Sequence, residues 1–559
     1  MKRFLLLALL PLAFACAPKR LTVLSTNDVH GAWFDSSYAG SGAKPSLLAV
    51  NYYVDSIRRA EGRRNVLLLD AGDCLQGDHA AYYYNYVDTA SEHLFSRIAS
   101  YMKYDAICLG NHDIETGHAV YDRVASELAS RGIPFMSGNA IRTSDSMPYF
   151  PLYKVFRRGG FKVLVLGYNN PNIAAWLDES LWRGMRFESL VPLVQKDVDR
   201  LGEIIKPDVV IACVHSGTGK GDGSILEDQA LDLFRSLRGV DLILGGHDHR
   251  PLAKGEDSIA LINAGSKARY IGLSRIEAQK GKKKISAELL KVDADKADSA
   301  MRRAFSADYE KVKAFTNKEI GVLTTDLRTR EAYSGMCPYL NLLHSVQLRY
   351  SGADISFAAP LTYDGTIRAG VLTYNDLFTI YPFENTLVSI KLRGCEIKAY
   401  LEYSYSLMLG PAGSPHALAL DGRSFANPSY NFDSAAGLRY IVDLSRPAGF
   451  RVKIISLADG SPFDMQAEYS VAMTSYRANG GGDLLTKGAG IPKEELQGRI
   501  NGRFPEIREC LKSYIQENAA LDPALFSGSE LGEWKFVSKE KALQADLRLL
   551  FGEGTKNRP

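Results

Sequence analysis

Short apolar runs punctuate the first half of the chain, and five of them end in a burst of Asp, Asn or His. TVLST leads into Asn27-Asp28-Val29-His30-Gly31, NVLLLD into Ala71-Gly72-Asp73, and AICLG into Asn111-His112-Asp113. VVIACV leads into His215-Ser216-Gly217, and LILGG into His247-Asp248-His249. Strands and helices alternate from residue 20 to about 292, the pattern of a layered α/β domain. FKVLVLGYNN at 161–170 is a further strand, and its closing Asn pair reads as a loop.

The pattern then changes. Residues 293–319 lack Pro and Gly and are rich in helix formers, which predicts one exposed helix linking two halves. Residues 320–525 mix helical stretches with alternating strands such as LVSIKLRG and RVKIISLAD, which predicts an α+β domain. The polar stretch 526–559 is expected to be a tail with a short, fraying helix. A chain of 559 residues is too long for one domain, and two are expected.

The five bursts carry the chemistry. In parallel sheets, ligands gather in the crevice at the carboxyl ends of the strands, where the backbone stops and side chains converge. One histidine after a strand is more often a hydrogen-bonded structural residue, and Asn-Asp or Gly-Asp pairs are ordinary turn formers. Here, however, five of the ten histidines sit in the bursts, together with carboxylates and an amide. Such a donor set suits borderline divalent ions such as Mn, Zn, Fe or Co.

In order and spacing, TNDVHG, DAGD, GNHD, HSG and GGHDH resemble the five metal-site motifs of calcineurin-like metallophosphoesterases. The resemblance is to the bacterial 5'-nucleotidase and 2',3'-cyclic-nucleotide 2'-phosphodiesterase family. It continues through YPFENTLVSIKLRG, GLRYIVDLSRP and YRANGGG, and covers roughly residues 20–520. It implies an N-terminal four-layer αββα domain with two divalent ions and a C-terminal α+β domain that binds the nucleotide. Asp28, His30, Asp73 and His249 would surround one ion, and Asp73, Asn111, His215 and His247 the other, with Asp73 bridging. A water held by the pair would attack phosphorus in line. His112 matches the catalytic histidine, which would stabilise transition-state charge or protonate the leaving oxygen. Where the family often has an Asp three residues after that histidine this chain has Glu115, favoured here over the adjacent Asp113 as its supporting carboxylate.

Family members clamp the base between aromatic rings of the second domain. The matching positions are Phe432 in SYNFD and Tyr476 in SYRANGGGD, with Asp483 placed to accept from ribose hydroxyls. Arg477 reads equally well as a surface charge. Members that cleave 5'-monophosphates carry a Gly-rich stretch ending in Ile-Arg. Here the text is AAPLTYDGTIR, which puts in doubt the reach of Arg368 and leans toward the cyclic-phosphodiesterase and 3'-nucleotidase branch. The alternatives are a nucleotide-sugar or other ester hydrolase of the same fold, and a surface lipoprotein that binds nucleotides without cutting them.

Lys2, Arg3, the apolar stretch Phe4–Ala15 and Cys16 read as an export signal with a lipobox-like end, too short to span a bilayer. The expected product is a periplasmic or cell-surface monomer, held to the membrane only through a lipid on Cys16. Six further cysteines form no CxxC pair, so no structural zinc knot is expected, and Cys74, Cys108 and Cys213 read as small buried hydrophobes. With 67 basic and 64 acidic residues the net charge is only +3, so a protein that coats polymeric nucleic acid is excluded. The run Lys280–Lys284 reads as a solvated hairpin tip.

Overall fold

The computed structural model describes residues 19–552, apart from 37, 39–41, 257, 280, 281 and 519. The leader with Cys16, the first two residues of the Lys280–Lys284 run and the last seven residues lie outside them. Two six-stranded sheets form the centre of the N-terminal half. In the first, Lys19–Thr26, Val66–Asp70, Ala106–Cys108 and Phe135–Met136 run parallel, and the long hairpin Tyr270–Gln279/Lys282–Lys291 closes one edge. In the second, Phe161–Tyr168, Val209–Val214, Leu242–Gly245 and Ile259–Asn263 are parallel.

These strands are apolar on both faces because both faces are covered. Leu21, Val23, Leu67 and Leu69 of the first sheet meet Val163, Val165, Ile211 and Leu242 of the second in one buried layer. Helices Leu47–Glu61, Leu94–Met102 and His118–Ser130 cover the outer face of the first sheet, and Leu190–Ile205 and Ala230–Ser236 that of the second. The result is the expected four-layer αββα domain.

The second half is built on a five-stranded sheet, ordered Ser434–Ala436, Ile355–Ala358, Glu468–Thr474, Thr386–Arg393 and Ile500–Glu506. Helices Pro338–Ser351 and Gly394–Met408 pack against it. Among the described residues no helix is long and apolar enough to cross a membrane, and none of the six described cysteines is in a disulfide.

Two expectations fail. The linker is neither one helix nor exposed on all sides: it forms Ser299–Ala304 and Ser306–Thr316, broken at Phe305. Met301, Phe305 and Val312 are buried in the N-terminal core, and Asp308 takes a two-pronged bond from Arg97 at 2.7 and 2.9 Å. Three apolar residues on one face outweigh a polar composition when that face has a core to cover. Nor is the described part of the polar tail, up to residue 552, a loose appendage. Gly532–Val537 adds a parallel strand beside Leu438–Asp443, burying Trp534 and Phe536. Helix Glu540–Phe551 follows, burying Leu543 and Leu550, so the second domain runs past residue 525.

Candidate metal centre and nucleotide cleft

Each ligand burst begins where a strand of the two sheets stops, so the seven side chains meet at one end of the sandwich. His30 Nε2 lies 2.8 Å from His249 Nε2, and His249 Nε2 lies 3.5 Å from Asp28 Oδ1. His215 Nε2 is 3.1 Å from Asp73 Oδ2, and Asn111 Oδ1 is 3.1 Å from His215 Nε2 and 2.9 Å from His247 Nδ1. Ligand atoms of Asp28, His30 and His249 lie within 4.8 Å of one another, as do those of Asp28, Asp73 and His215.

The chain bends hard to achieve this. Asp28, His30, Asp73, His247 and His249 all have left-handed backbones, with φ of 47°, 48°, 63°, 74° and 58°. For residues with a Cβ such conformations cost about 1–3 kcal/mol each and persist only when the surroundings impose them. Gly72, at φ 103°, has a different reason for its place in DAGD: a Cβ there would sit 2.7 Å from His215 Nδ1 and from the Gly110 nitrogen.

Backbone partners aim the ligand atoms inward. His215 Nδ1 donates to the Ala71 carbonyl at 2.8 Å and His30 Nδ1 meets the Gln76 carbonyl at 3.2 Å, leaving both Nε2 atoms facing the centre. Asp73 Oδ1 accepts from the His112 N–H at 2.8 Å, whereas Asp73 Oδ2 is buried with no hydrogen-bond partner. A buried carboxylate oxygen 3.1 Å from His215 Nε2 and 3.9 Å from His30 Nε2 fits a cation. Burial pushes His30 and His247 down to about 4 and about 3, keeping their nitrogen lone pairs available. Burial works against the charge on Asp73, but His215, His112 and His30 more than offset it and hold the carboxyl well below its usual range. The donor set fits two divalent cations.

His112 flanks this centre. Its Nδ1 lies 2.6 Å from Glu115 Oε2, which also accepts from Gln76 Nε2 at 2.8 Å. Burial would lower the His112 ring, but Asp73 and Glu115 push it up to about 9. Asp113 is occupied elsewhere: its carboxylate accepts from the backbone N–H groups of Asp73, Cys74, Leu75 and Gly110 at 2.8–2.9 Å. It shapes the DAGD turn rather than the histidine.

The second domain reaches this end of the sandwich. The Asn479 amide donates to the Trp176 carbonyl, and the Trp176 indole stacks on His247 with centroids 5.2 Å apart and planes at 14°. Arg503 pairs with Asp178, and Tyr82 bonds Tyr374 and Glu509 at 3.1 and 2.8 Å. Tyr476 is 40% exposed, and its ring lies over Gly481, where a Cβ would come within 2.4 Å of it.

Two expected substrate contacts, Phe432 and Asp483, look different in three dimensions, and so does Arg477. Phe432 is 1% exposed, packed between Tyr333, Tyr405 and Phe536, so it offers no face to a base. An all-hydrocarbon ring gains more from the core than its neighbour Tyr430, whose hydroxyl keeps that ring 40% exposed, edge-on to the exposed Phe383. Asp483 is turned to Lys487 and Thr486, at 2.8 and 3.3 Å. Arg477 is no surface charge. It is buried, bonded twice to Asp433 and once each to Asn431 and the carbonyls of Tyr430 and Gly481, and it ties SYNFD to YRANGGG. Arg477→Ala leaves the Asp433 carboxylate buried without a cation and with only the Tyr400 hydroxyl as a side-chain donor, so urea denaturation should show a loss of about 3–5 kcal/mol. The sequence signals missed were the tyrosine two positions before Phe432 and a rare tryptophan in the loop after FKVLVLGYNN.

Residues 21–251 match the calcineurin-like phosphoesterase family, and residues 314–487 match the 5'-nucleotidase C-terminal domain. The chain is 24% identical to the trifunctional nucleotide phosphoesterase YfkN of Bacillus subtilis, over 91% of this chain but 39% of that protein. It is 22% identical to a 2',3'-cyclic-nucleotide 2'-phosphodiesterase/3'-nucleotidase of Haemophilus influenzae, over 92% of this chain and 87% of that one. Its fold is similar to a solved 5'-nucleotidase precursor of Thermus thermophilus, with a TM-score of 0.62 at 24% identity, covering 93% of this chain and all of the other. Two matched domains in this order, over a converged set of metal donors, place the chain among the calcineurin-like phosphoester hydrolases with a 5'-nucleotidase C-terminal domain.

Proposed function

We propose that this is an exported, lipid-anchored hydrolase of nucleotide phosphoesters that favours 2',3'-cyclic and 3'-phosphates over 5'-phosphates. The observation that carries the hydrolytic reading is the orphaned Asp73 Oδ2 at the meeting point of the other metal donors. Asp28, His30, Asp73 and His249 would hold one cation, and Asp73, Asn111, His215 and His247 the other. When bound, the two cations supply Lewis-acid chemistry, polarising phosphoryl oxygens and making an attacking water acidic. The His112 imidazolium, held by Glu115, sits beside the centre to neutralise charge developing on phosphoryl oxygens or to protonate the leaving oxygen. Export and anchoring rest on the leader and on Cys16.

Tyr476, joined by Tyr430, supplies the stacking surface for the base. Asp483 serves the ribose if its link to Lys487 opens. The cyclic preference rests on Arg368, whose side chain is 76% exposed and engaged with Asp326 at 2.8 Å rather than turned to the cleft. Tyr476→Ala should raise KM for nucleotides about tenfold or more, as expected for loss of one base–aromatic stack, while bis-p-nitrophenyl phosphate hydrolysis changes little. The deciding experiment compares 2',3'-cyclic AMP, 3'-AMP, 5'-AMP and a UDP-sugar with Mn or Zn. Fastest turnover of 5'-AMP or of the UDP-sugar would overturn the preference, and tight binding without turnover would favour a binding lipoprotein.

A further inference from the structure

The end of the sandwich opposite the metal donors is cationic, although the whole chain is near neutral. Strand Lys19–Thr26 begins there, and Lys19 pairs with Asp208 at 3.3 Å. The register Lys19↔Ala278 and Gln279↔Lys282 brings Lys282 and Lys283 to the same edge, where Lys283 reaches both Asp241 and the Asp208 carbonyl. The tight turn at Gly159 is stitched in by the Arg20 N–H and the Arg64 carbonyl.

Most carboxylates at this end are already engaged, Asp105 with Arg158, Asp208 with Lys19, Asp241 with Lys283, Glu277 with Arg20, Glu61 with Arg275 and Glu256 with Lys254, while Glu203 is exposed. Arg63, Arg64, Lys103, Arg157, Lys206 and Lys282 are exposed there and have no carboxylate within ion-pair distance among the described residues. A cavity of about 420 Å³ opens on this face, where Lys103, Lys154, Arg131 and Arg158 outnumber one carboxylate, Asp105, which Arg158 neutralises at 2.9 Å, while Arg131 also pairs with Glu92. Ile204, 71% exposed, and Tyr101, 39% exposed, stand in the last turns of helices that end beside Lys206 and Lys103. Unpaired lysines and arginines around isolated apolar side chains suit the headgroup layer of an anionic bilayer.

We propose that this face docks on anionic phospholipid, with the cavity receiving a phosphate headgroup. The proposal deepens the anchored reading, on which it rests for choosing a lipid surface over a free anion. Lys19, three residues after Cys16 in the sequence, lies on this face. Docked this way, the metal centre points away from the membrane toward soluble substrate.

The test uses the full chain carrying Cys16→Ser, and the same chain with Lys103→Glu, Arg157→Glu, Lys206→Glu and Lys282→Glu added. Each is sedimented with phosphatidylcholine vesicles, alone or containing phosphatidylglycerol, at low and high salt. The apolar leader is common to both proteins and both vesicle types, so the difference isolates the face. The expected result is a preference for anionic vesicles of more than about tenfold, erased by high salt and by the four substitutions, with soluble nucleotide turnover unchanged. Equal binding to both vesicle types overturns the proposal, as does a preference that survives the four substitutions. Displacement by inorganic phosphate at constant ionic strength also overturns it, by assigning the cavity to a free anion. Mass spectrometry of the exported wild-type chain reads the lipid on Cys16 separately, so a failed anchor and a failed docking face are distinguishable.

Discussion

Asp73→Asn is expected to lower nucleotide turnover by more than about a thousandfold, since even changes in the shell around metal ligands cost about 10–100-fold. Asp73 and Asp28 both lie between the two halves of the donor set, and of the two Asp73 comes nearest to His215. Asp73 Oδ2 lies 3.1 Å from His215 Nε2 and 3.9 Å from His30 Nε2. An amide there keeps the size and the bond from the His112 N–H, but removes the charge that lets two cations sit side by side. The ion-free variant should fold, because Asn also relieves repulsion between Asp73 and the buried Asp28. Two readouts check this: kcat/KM on 2',3'-cyclic AMP, and the metal-dependent rise in Tm. That rise is expected in the wild type, because cations that bind only the folded chain stabilise it, and it should shrink in the variant.

His112→Ala is the second large effect, about 10²–10⁴-fold in kcat. Its signature differs: cation content should stay at the wild-type level, because His112 gives the centre only a backbone N–H to Asp73 Oδ1. Glu115→Gln should lose less, about tenfold, since Gln still reaches Nδ1 but no longer favours the imidazolium that Glu115 supports at 2.6 Å. Elemental analysis beside single-turnover kinetics separates the two variants from Asp73→Asn. A His112→Ala protein that had lost its metal would make the histidine a structural residue.

Much of the metal centre was legible because its logic is local. A strand that stops at a donor-rich turn announces itself in a few consecutive residues, and five such turns on parallel strands must converge. The left-handed backbones at Asp28, His30, Asp73, His247 and His249 were not legible, since none of these is glycine and only the assembled centre imposes them. The cleft of the second domain was harder to read. Phe432 and Tyr430 are two positions apart in one turn, and which ring goes inward depends on the distant partners Tyr333, Tyr405 and Phe536. Arg477 looked like a surface cation until its partners, some 45 positions earlier, came into contact. The tail was misjudged through its composition, although the alternation of Trp534 and Phe536 already had the period of a half-buried strand.

The central claim is a shared cradle for two cations, and counting them tests it directly. The metal-stripped chain is titrated with Mn or Zn, and bound ions per chain are measured beside hydrolysis of 2',3'-cyclic AMP. The account predicts saturation at two ions per chain, with activity appearing as the pair fills and neither ion retained normally by Asp73→Asn. Full activity in the stripped protein, or saturation at a single ion with full turnover, would contradict it.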